Sequence, residues 1–312
     1  MIHIQTLREG YPLFKALGSE TRISILELLV EKGPMRMTAI AQELKITGGA
    51  LTSHVKALNE AGILSIEQRG GKHGIQKVCR VNDERIIIES PIQRPGMKSF
   101  EAEIEIGQFV DSKASAPCGV ATPERILEPQ NDPTSFANPD RLRAGVIWLK
   151  DGYLEYLVPN FIKEGQQMLE LKMSLECAPD LPRSQPRLPG QVELSINNVK
   201  VCACGLPGEE GNAYGMFNPV WWDESHNQRG TLHMITVNED GTFVDGYAVS
   251  DIKLSDLKLG VGKSIPVRLT LPKGEDNSGL TLFGHGFGNA PQGIKISMNY
   301  EDKGKPKAKK RN

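Results

Sequence analysis

A run of small, hydroxylic and basic residues between positions 47 and 56 is the part of the sequence best suited to contact a nucleic acid. Hydroxyl, imidazole and ammonium groups exchange hydrogen bonds with base edges and phosphates, and small residues between them let a helix approach closely. The run comprises Thr47, Gly48, Ala50, Thr52, Ser53, His54 and Lys56. A glycine-rich turn and its flanks add Arg69, Lys72, His73 and Lys77. Both sets are predicted to contact DNA.

A second group of aromatic and polar residues suits a small polar ligand. An exposed indole can stack on a sugar ring, and polar side chains on glycine-rich turns can fix a ligand's orientation. The predicted ligand residues are Trp221, Trp222, Asn212, Asp223, His285 and Asn289, with His226 beside them. The alternative is that the paired tryptophans belong to a core or an interface.

The five cysteines form no disulfide framework, which fits a reducing compartment. Cys202 and Cys204 are separated by one residue, so on a strand their side chains point to the same face. With a third ligand they could hold a soft metal ion or respond to oxidation, whereas small residues on a packed face are the ordinary interpretation. No cofactor and no metal ligand are predicted.

Catalysis is the rival class of function. Five carboxylates could pair as glycosidase groups: Glu170, Glu176, Glu193, Asp223 and Glu224. Their spacing selects no pair, and the sequence has no Gly-x-Ser-x-Gly motif. The chain is therefore predicted not to be an enzyme.

Helical periodicity before residue 62 predicts the helices that would position the residues at 47–56 that are expected to contact DNA. Apolar residues recur at intervals of three and four from Leu7 to Val30, with a break at Gly18 before an N-cap at Ser19. A short helix is predicted over residues 37–44, and Thr47 caps a third helix that ends before Gly62. Two strands, near 63–66 and over 75–81, flank the basic turn. This order predicts an α+β winged helix-turn-helix over residues 1–88, whose last helix enters the major groove.

Beyond a linker at 89–99 the apolar period changes from helical to alternating. Short strands bounded by Gly, Pro, Asn or Asp predict a large all-β region, a β-sandwich or jelly roll, over residues 100–300. The basic segment 301–312 has no apolar anchor and is predicted to be a disordered tail.

Charge is distributed unevenly along a chain of net charge −1. Residues 1–85 carry +3, residues 86–300 carry −8 and the last twelve residues carry +4. A polyanion is therefore expected to contact the ends. No apolar run reaches the roughly 18–20 residues that cross a bilayer, so a cytoplasmic protein without membrane contact is expected.

Two segments carry a family resemblance, LFKALGSETRISILELL at 13–29 and ALTSHVKALNEAGIL at 50–64. Together they resemble the ArsR family of winged helix-turn-helix transcriptional regulators. The resemblance implies a homodimer with the first helix in its interface, reading double-stranded DNA. The family's usual Cys-x-Cys is missing, because residues 37–44 contain no cysteine.

A weaker resemblance extends along the rest of the chain, to ArsR-like regulators with a β-rich C-terminal region similar to galactose-binding jelly rolls. The segments concerned are PCGVA at 117–121, residues 148–160, NPVWW at 218–222 and residues 279–289. The resemblance implies a carbohydrate or other small polar effector bound by the β region. A β region that only dimerises or recruits a partner is the alternative.

Overall fold

A computed structural model describes residues 2–4, 7–71, 74–82, 86–88, 97–180, 190–206, 215–223, 225–272 and 278–303. The chain divides into two compact units, Met1–Gln93 and Arg94–Asn312. Each unit has its own hydrophobic core, and each is described separately below.

The described residues of the first unit form four helices, α1 (Tyr11–Leu17), α2 (Glu20–Lys32), α3 (Met37–Glu43) and α4 (Gly48–Glu60). Ser19 occupies the N-cap of α2, as predicted, although its side chain makes no capping hydrogen bond. Gly33 ends α2 at a φ of 74°, a conformation that favours glycine. The fully buried core side chains of the helices come from α2, α3 and α4, and are Ile25, Ile40, Leu51, Val55 and Leu58.

Five short strands complete this unit: β1 (Ile2–Ile4), β2 (Met35–Arg36), β3 (Leu64–Gly71), β4 (Gly74–Val81) and β5 (Ile86–Ile88). The β3–β4 hairpin is the predicted wing, and β2 adds a third strand beside β4. β1 and β5 form a separate parallel pair, which the sequence patterns did not predict. Helices α3 and α4 with this hairpin make the unit a winged helix-turn-helix, which confirms the predicted fold class.

The second unit is built from twelve strands joined in one branched sheet. They are β6 (Lys98–Ile104), β7 (Asp111–Ala121), β8 (Val146–Val158), β9 (Gln166–Ala178), β10 (Gly190–Ile196), β11 (Val199–Leu206), β12 (Thr231–Asn238), β13 (Gly241–Val244), β14 (Tyr247–Ser250), β15 (Ile265–Thr270), β16 (Leu280–Phe283) and β17 (Ile294–Asp302). Among the described residues after position 100, the only helices are three short 3-10 helices, at 133–137, 139–143 and 254–257. The predicted all-β second region is therefore confirmed. Its first strand begins at Lys98, inside the segment predicted as linker.

Pairing divides the branched sheet into two layers. One layer runs β11–β10–β15–β8–β7 and the other runs β6–β17–β9–β12–β13–β14. The short strand β16 pairs with the start of β8 and the end of β9 and so joins the layers. Alternate residues of β9, from Leu171 to Cys177, point into the core between the layers.

Candidate nucleic-acid interface and predicted ligand residues

Helix α4 is fixed at its start by a side-chain cap and along one face by the core. Thr47 has an extended backbone, and its Oγ1 accepts a hydrogen bond of 3.2 Å from the amide of Ala50. Leu51, Val55 and Leu58 are fully buried, so the helix cannot rotate without exposing them. The opposite face is thereby held outward. The predicted cap and the buried face of this helix are both present.

The outward face of α4 is small and accessible at its N-terminal half. Of the residues of this helix and its cap that are predicted to contact DNA, His54 is half-buried and six are exposed: Thr47, Gly48, Ala50, Thr52, Ser53 and Lys56. A Cβ built at Gly48 or Gly49 would meet no atom within 4 Å. The first turn therefore offers backbone and short side chains to an approaching surface.

Two hydroxyls on this face are already bonded to the helix itself. Thr52 Oγ1 donates to the carbonyl of Gly48 at 2.8 Å, and Ser53 Oγ donates to the carbonyl of Ala50 at 2.8 Å. Their free lone pairs face outward, so in this arrangement they accept hydrogen bonds. Lys56 Nζ lies 3.7 Å from Glu60, an exposed pair whose geometry holds the ammonium weakly.

The wing positions the second basic set on the β3–β4 hairpin. Lys77 is exposed on β4, and the backbone of Arg69 pairs with Gln76 across the hairpin. Lys72 and His73 lie outside the described residues. Cys79, on β4, is fully buried, and burial raises the pKa of its thiol to about 11. This thiol is therefore a core group.

The two adjacent tryptophans of the β unit occupy different environments. Trp222 is buried, packs against Trp148 and Phe287, and donates from Nε1 to the carbonyl of Asn227 at 2.9 Å. Trp221 is 38% exposed, and its Nε1 donates to the carbonyl of Pro123 at 2.8 Å. Trp221 alone of the two has an accessible ring, whereas Trp222 is a core residue.

The other predicted ligand residues lie on loops, where their side chains make hydrogen bonds within the protein. Asp223 accepts hydrogen bonds from Ser225, which lower the pKa of Asp223. His226, stacked against Trp222, lies 3.3 Å from the Asp223 carboxylate. Asn289 Oδ1 accepts a hydrogen bond of 3.0 Å from the amide of Met216, which joins loop 284–290 to segment 215–223, where the two tryptophans lie. Asn212 lies outside the described residues.

His285 lies on the same loop as Asn289, between two carboxylates. Its Nδ1 is 3.2 Å from Glu105 and its Nε2 is 3.5 Å from Glu103. All three side chains are partly exposed. The three side chains therefore form a polar patch at loop 284–290.

Three of the carboxylates considered for catalysis, Glu170, Glu176 and Glu193, make contacts within the β unit. Glu176 is buried and accepts hydrogen bonds from the amides of Gly230, Asn289 and Ala290. Glu193 pairs with Lys200 across the β10–β11 hairpin. Glu170 accepts from Asn299 and lies 3.3 Å from Lys172. Glu224 lies outside the described residues.

The cavity between the two layers has a wholly apolar lining and holds about 10 Å³, the room of roughly one water molecule. The lining residues are Val158, Leu171, Met173, Ile196, Ile235, Val237, Ile265, Val267 and Ile296. It is too small and too apolar for a sugar.

A buried polar group that the sequence reasoning missed lies at one end of the same core. His233 Nδ1 is 2.9 Å from Asp245 Oδ2, and both side chains are almost fully buried. Asp245 Oδ1 also accepts from the amide of Met234 at 2.8 Å. The signal was present in the sequence, because His233 occupies a core position in the alternation of β12.

Four of the five cysteines belong to this core as well, Cys118, Cys177, Cys202 and Cys204. Cys177, Cys202 and Cys204 are buried, and the sulfurs of Cys202 and Cys204 are 3.6 Å apart. The contact between these two thiols lowers the pKa of Cys202 and raises that of Cys204. As they are placed, no three His, Cys, Asp or Glu side chains in the described ranges could hold a metal ion together. Within those ranges no helix is long and apolar enough to cross a membrane.

Comparisons with known proteins concern the first unit. Residues 19–65 match the family model of winged helix-turn-helix DNA-binding domains. An uncharacterised HTH-type transcriptional regulator of Methanocaldococcus jannaschii is 40% identical over 58 residues. That match covers 19% of this chain and spans 65% of the relative's length.

A solved structure described as a "possible transcriptional regulator" from Methanosarcina mazei Go1 is 17% identical, with a TM-score of 0.21. It covers 23% of this chain and 64% of the other chain. The assignment of the first unit's fold depends on its helices and wing and on the match of residues 19–65 to the family model. It is a winged helix-turn-helix of the kind whose model describes DNA binding.

Proposed function

We propose that the protein is a DNA-binding transcriptional regulator. The observation that carries this proposal is the outward face of α4, which is exposed, small and hydroxylic and is held in place by the Thr47 cap and a buried opposite face. In a winged helix-turn-helix this helix lies in the major groove and the wing contacts the backbone beside it. Lys56 and Lys77 would supply phosphate contacts, and Thr52 and Ser53 would meet base edges.

The hydrogen bonds of the Thr52 and Ser53 hydroxyls predict which bases the helix would prefer. Because Thr52 and Ser53 donate to helix carbonyls, they present acceptors to the groove. The amino groups of adenine and cytosine are the donors available there. We therefore expect these side chains to lie opposite A or C in the operator.

Binding to the promoter DNA of the protein's own gene tests the proposal. Fluorescence anisotropy at several salt concentrations should give an affinity that falls steeply with salt, because phosphate contacts release counterions. Ser53→Ala should weaken binding to the operator by about fivefold, since a single hydrogen bond contributes about 1 kcal/mol. Ser24→Ala is the matched control, because Ser24 also bonds to a helix carbonyl, on α2. Binding that is insensitive to both salt and Ser53 would refute the proposal.

A homodimer is the second part of the proposal, as the ArsR resemblance implies. Leu7 and Tyr11, at the start of the unit's helical part, are 54% and 60% exposed, and such apolar side chains favour an interface around α1. Analytical ultracentrifugation should show that Tyr11→Glu dissociates the dimer. Tyr247→Glu, at a residue 67% exposed in the β unit, is the control. Dissociation by the Tyr247 variant alone would move the interface to the β unit.

The β unit is proposed to bind a small polar effector such as a carbohydrate, at the loops that carry Trp221, His285 and Asn289. The half-exposed ring of Trp221 favours this, while the burial of Trp222 restricts any stacking platform to one indole. A thermal-shift screen of sugars on the full chain, repeated with Trp221→Ala, measures the effect directly. Stabilisation that survives the substitution would place the ligand elsewhere.

A further inference from the structure

Cys202 and Cys204 form a pair of thiols in direct contact on one strand of the β unit. Both lie on β11, separated by one residue, and both side chains are almost fully buried. Their sulfurs are 3.6 Å apart. A disulfide bond is about 2.0 Å long, so a further approach of about 1.6 Å would join the two sulfurs.

The backbone of β11 permits such a bond. Cα atoms two residues apart along a strand are separated by about 6.4–6.8 Å, at the upper end of the roughly 4.4–6.8 Å found across disulfides. The register of β11 on β10 shifts immediately before Cys202, where Val201 is an extra residue, and such a bulge bends the strand. Among the described strands β11 pairs with β10 alone, so a further bend disturbs one row of hydrogen bonds.

The two thiols differ in acidity, as an attacking and a resolving thiol do. The contact with Cys204 lowers the pKa of Cys202 in spite of burial, and the charge of Lys200 adds to this effect. The same contact raises the pKa of Cys204. Burial raises the pKa of Cys118 and of Cys177. Since the thiolate is the reactive form, Cys202 is the thiol that an oxidant should attack first.

We propose that Cys202 and Cys204 are a modification site, at which a hydroperoxide such as H₂O₂ forms a reversible disulfide within β11. The Cys202 thiolate attacks one peroxide oxygen, the O–O bond breaks, and Cys202 becomes a sulfenic acid while the second oxygen leaves as hydroxide and is protonated to water. The Cys204 thiol then attacks the sulfenic sulfur, so that the S–S bond forms and the OH group leaves with the thiol proton as water. The pair gives up two electrons in all, and H₂O₂ becomes two molecules of water.

The position of the pair on the sheet suits a reversible modification. β11 is the last described strand of its layer, and local opening of such an edge admits a small oxidant. A disulfide that joins Cα atoms at the upper limit of separation is strained, and strained disulfides are readily reduced by other thiols.

Peptide mapping of the full-length chain after peroxide treatment tests the site. Cleavage after lysine and arginine leaves Cys202 and Cys204 together in peptide 201–229 and places Cys118 and Cys177 in peptides of their own. Reduced protein is exposed briefly to a small excess of H₂O₂, unfolded and alkylated. Peptide 201–229 should then carry no alkyl group and be lighter by two hydrogen atoms than its reduced form, and dithiothreitol should restore both thiols. The Cys118 and Cys177 peptides should remain alkylated.

The same peptide contains its own control for exposure to the oxidant. Met216 is 75% exposed, so its conversion to the sulfoxide shows that the peroxide has acted on the protein. A peptide 201–229 that carries oxidised Met216 but two alkylated cysteines would overturn the proposal. So would a loss of the Cys118 thiol equal to that of the pair.

Two substitutions separate the attacking thiol from the resolving thiol. In Cys204→Ser the sulfenic acid on Cys202 has no partner, so under peroxide dimedone should label Cys202 roughly tenfold faster than Cys118, because the thiolate is the reactive form. In Cys202→Ser the remaining thiol of Cys204 should be labelled no faster than Cys118. Cys118→Ser, at a buried thiol elsewhere in the core, is the matched control and should form the disulfide as the unsubstituted chain does. Equal labelling of Cys202 and Cys204 in the two variants would refute their assigned roles.

The peptide map uses the unsubstituted chain, so it decides the proposal even where a variant does not fold. No step of it involves DNA, and its outcome is therefore independent of the proposed regulatory function.

Discussion

Replacement of the buried carboxylate of Glu176 should destabilise the β unit more than any surface substitution. Oε1 accepts hydrogen bonds from Gly230 at 2.8 Å and Asn289 at 3.0 Å, and Oε2 accepts from Ala290 at 2.6 Å. In Glu176→Gln one oxygen becomes an amide NH₂ that faces a backbone N–H. One buried donor then loses its partner, at about 1–3 kcal/mol, and the remaining bonds lose the charge.

The expected loss in the free energy of unfolding is about 3–4 kcal/mol, a large part of the roughly 5–15 kcal/mol that stabilises a domain. Tryptophan fluorescence during urea unfolding reports on this unit alone, since Trp148, Trp221 and Trp222 all lie in it. With a typical m-value the midpoint should fall by roughly 1–2 M urea. Glu101→Gln, at an exposed carboxylate on β6, is the control and should leave the midpoint unchanged. A Glu176→Gln midpoint equal to that of the control would refute this reasoning.

Three further substitutions follow from the same contacts. Gly288→Ala should destabilise the β unit by at least 2 kcal/mol in the same urea assay, roughly the cost of an overpacked core site, because φ is +69° and its Cβ would lie 2.5 Å from Glu176 Oε1; an unchanged midpoint would contradict this. Thr47→Ala should lower the helical melting temperature of the winged helix by removing about 1 kcal/mol of capping, and Thr47→Ser should restore it; a serine variant no better than alanine would exclude the cap. Burial raises the pKa of Asp180 to about 6, so the stability it contributes is present below the unfolded value of 3.8 and is lost as the pH rises through 6. Asp180→Asn should abolish that loss in melting curves between pH 4 and 8, and an unchanged pH dependence would argue against it.

The helical part of the fold could be predicted because its signals are local. Ser19, Gly33, Thr47 and Gly62 mark helix ends in the sequence, and all four bound α2 or α4 as expected. The pairing of β1 with β5 could not be predicted in this way. Three-residue strands carry too short a pattern, and their pairing joins residues about 84 positions apart.

The candidate sites were predictable to different degrees. The outward position of Thr52 and Ser53 follows from the helical period, since Leu51 and Val55 must face the core. The burial of Trp222 does not follow, because a tryptophan after Asn-Pro carries the same local signal in a core as on a surface. The role of His233 could not be predicted either. A polar residue at a core position of a strand gains significance only when its partner is known, and the partner, Asp245, lies in the turn between β13 and β14.

The first and last strands of the β unit are neighbours. Lys98 on β6 pairs with Tyr300 on β17, and an ion pair joins Lys98 to Asp302, 204 positions further on. During synthesis the ribosome therefore releases β6 long before β17, its partner among the described strands, exists, whereas the winged helix is complete much earlier. Contacts so distant in sequence slow folding, and an unpaired strand favours aggregation while it waits. A truncation that removes β17 would thus take from β6 the strand with which it pairs and expose an edge of β9, and exposed strand edges favour aggregation.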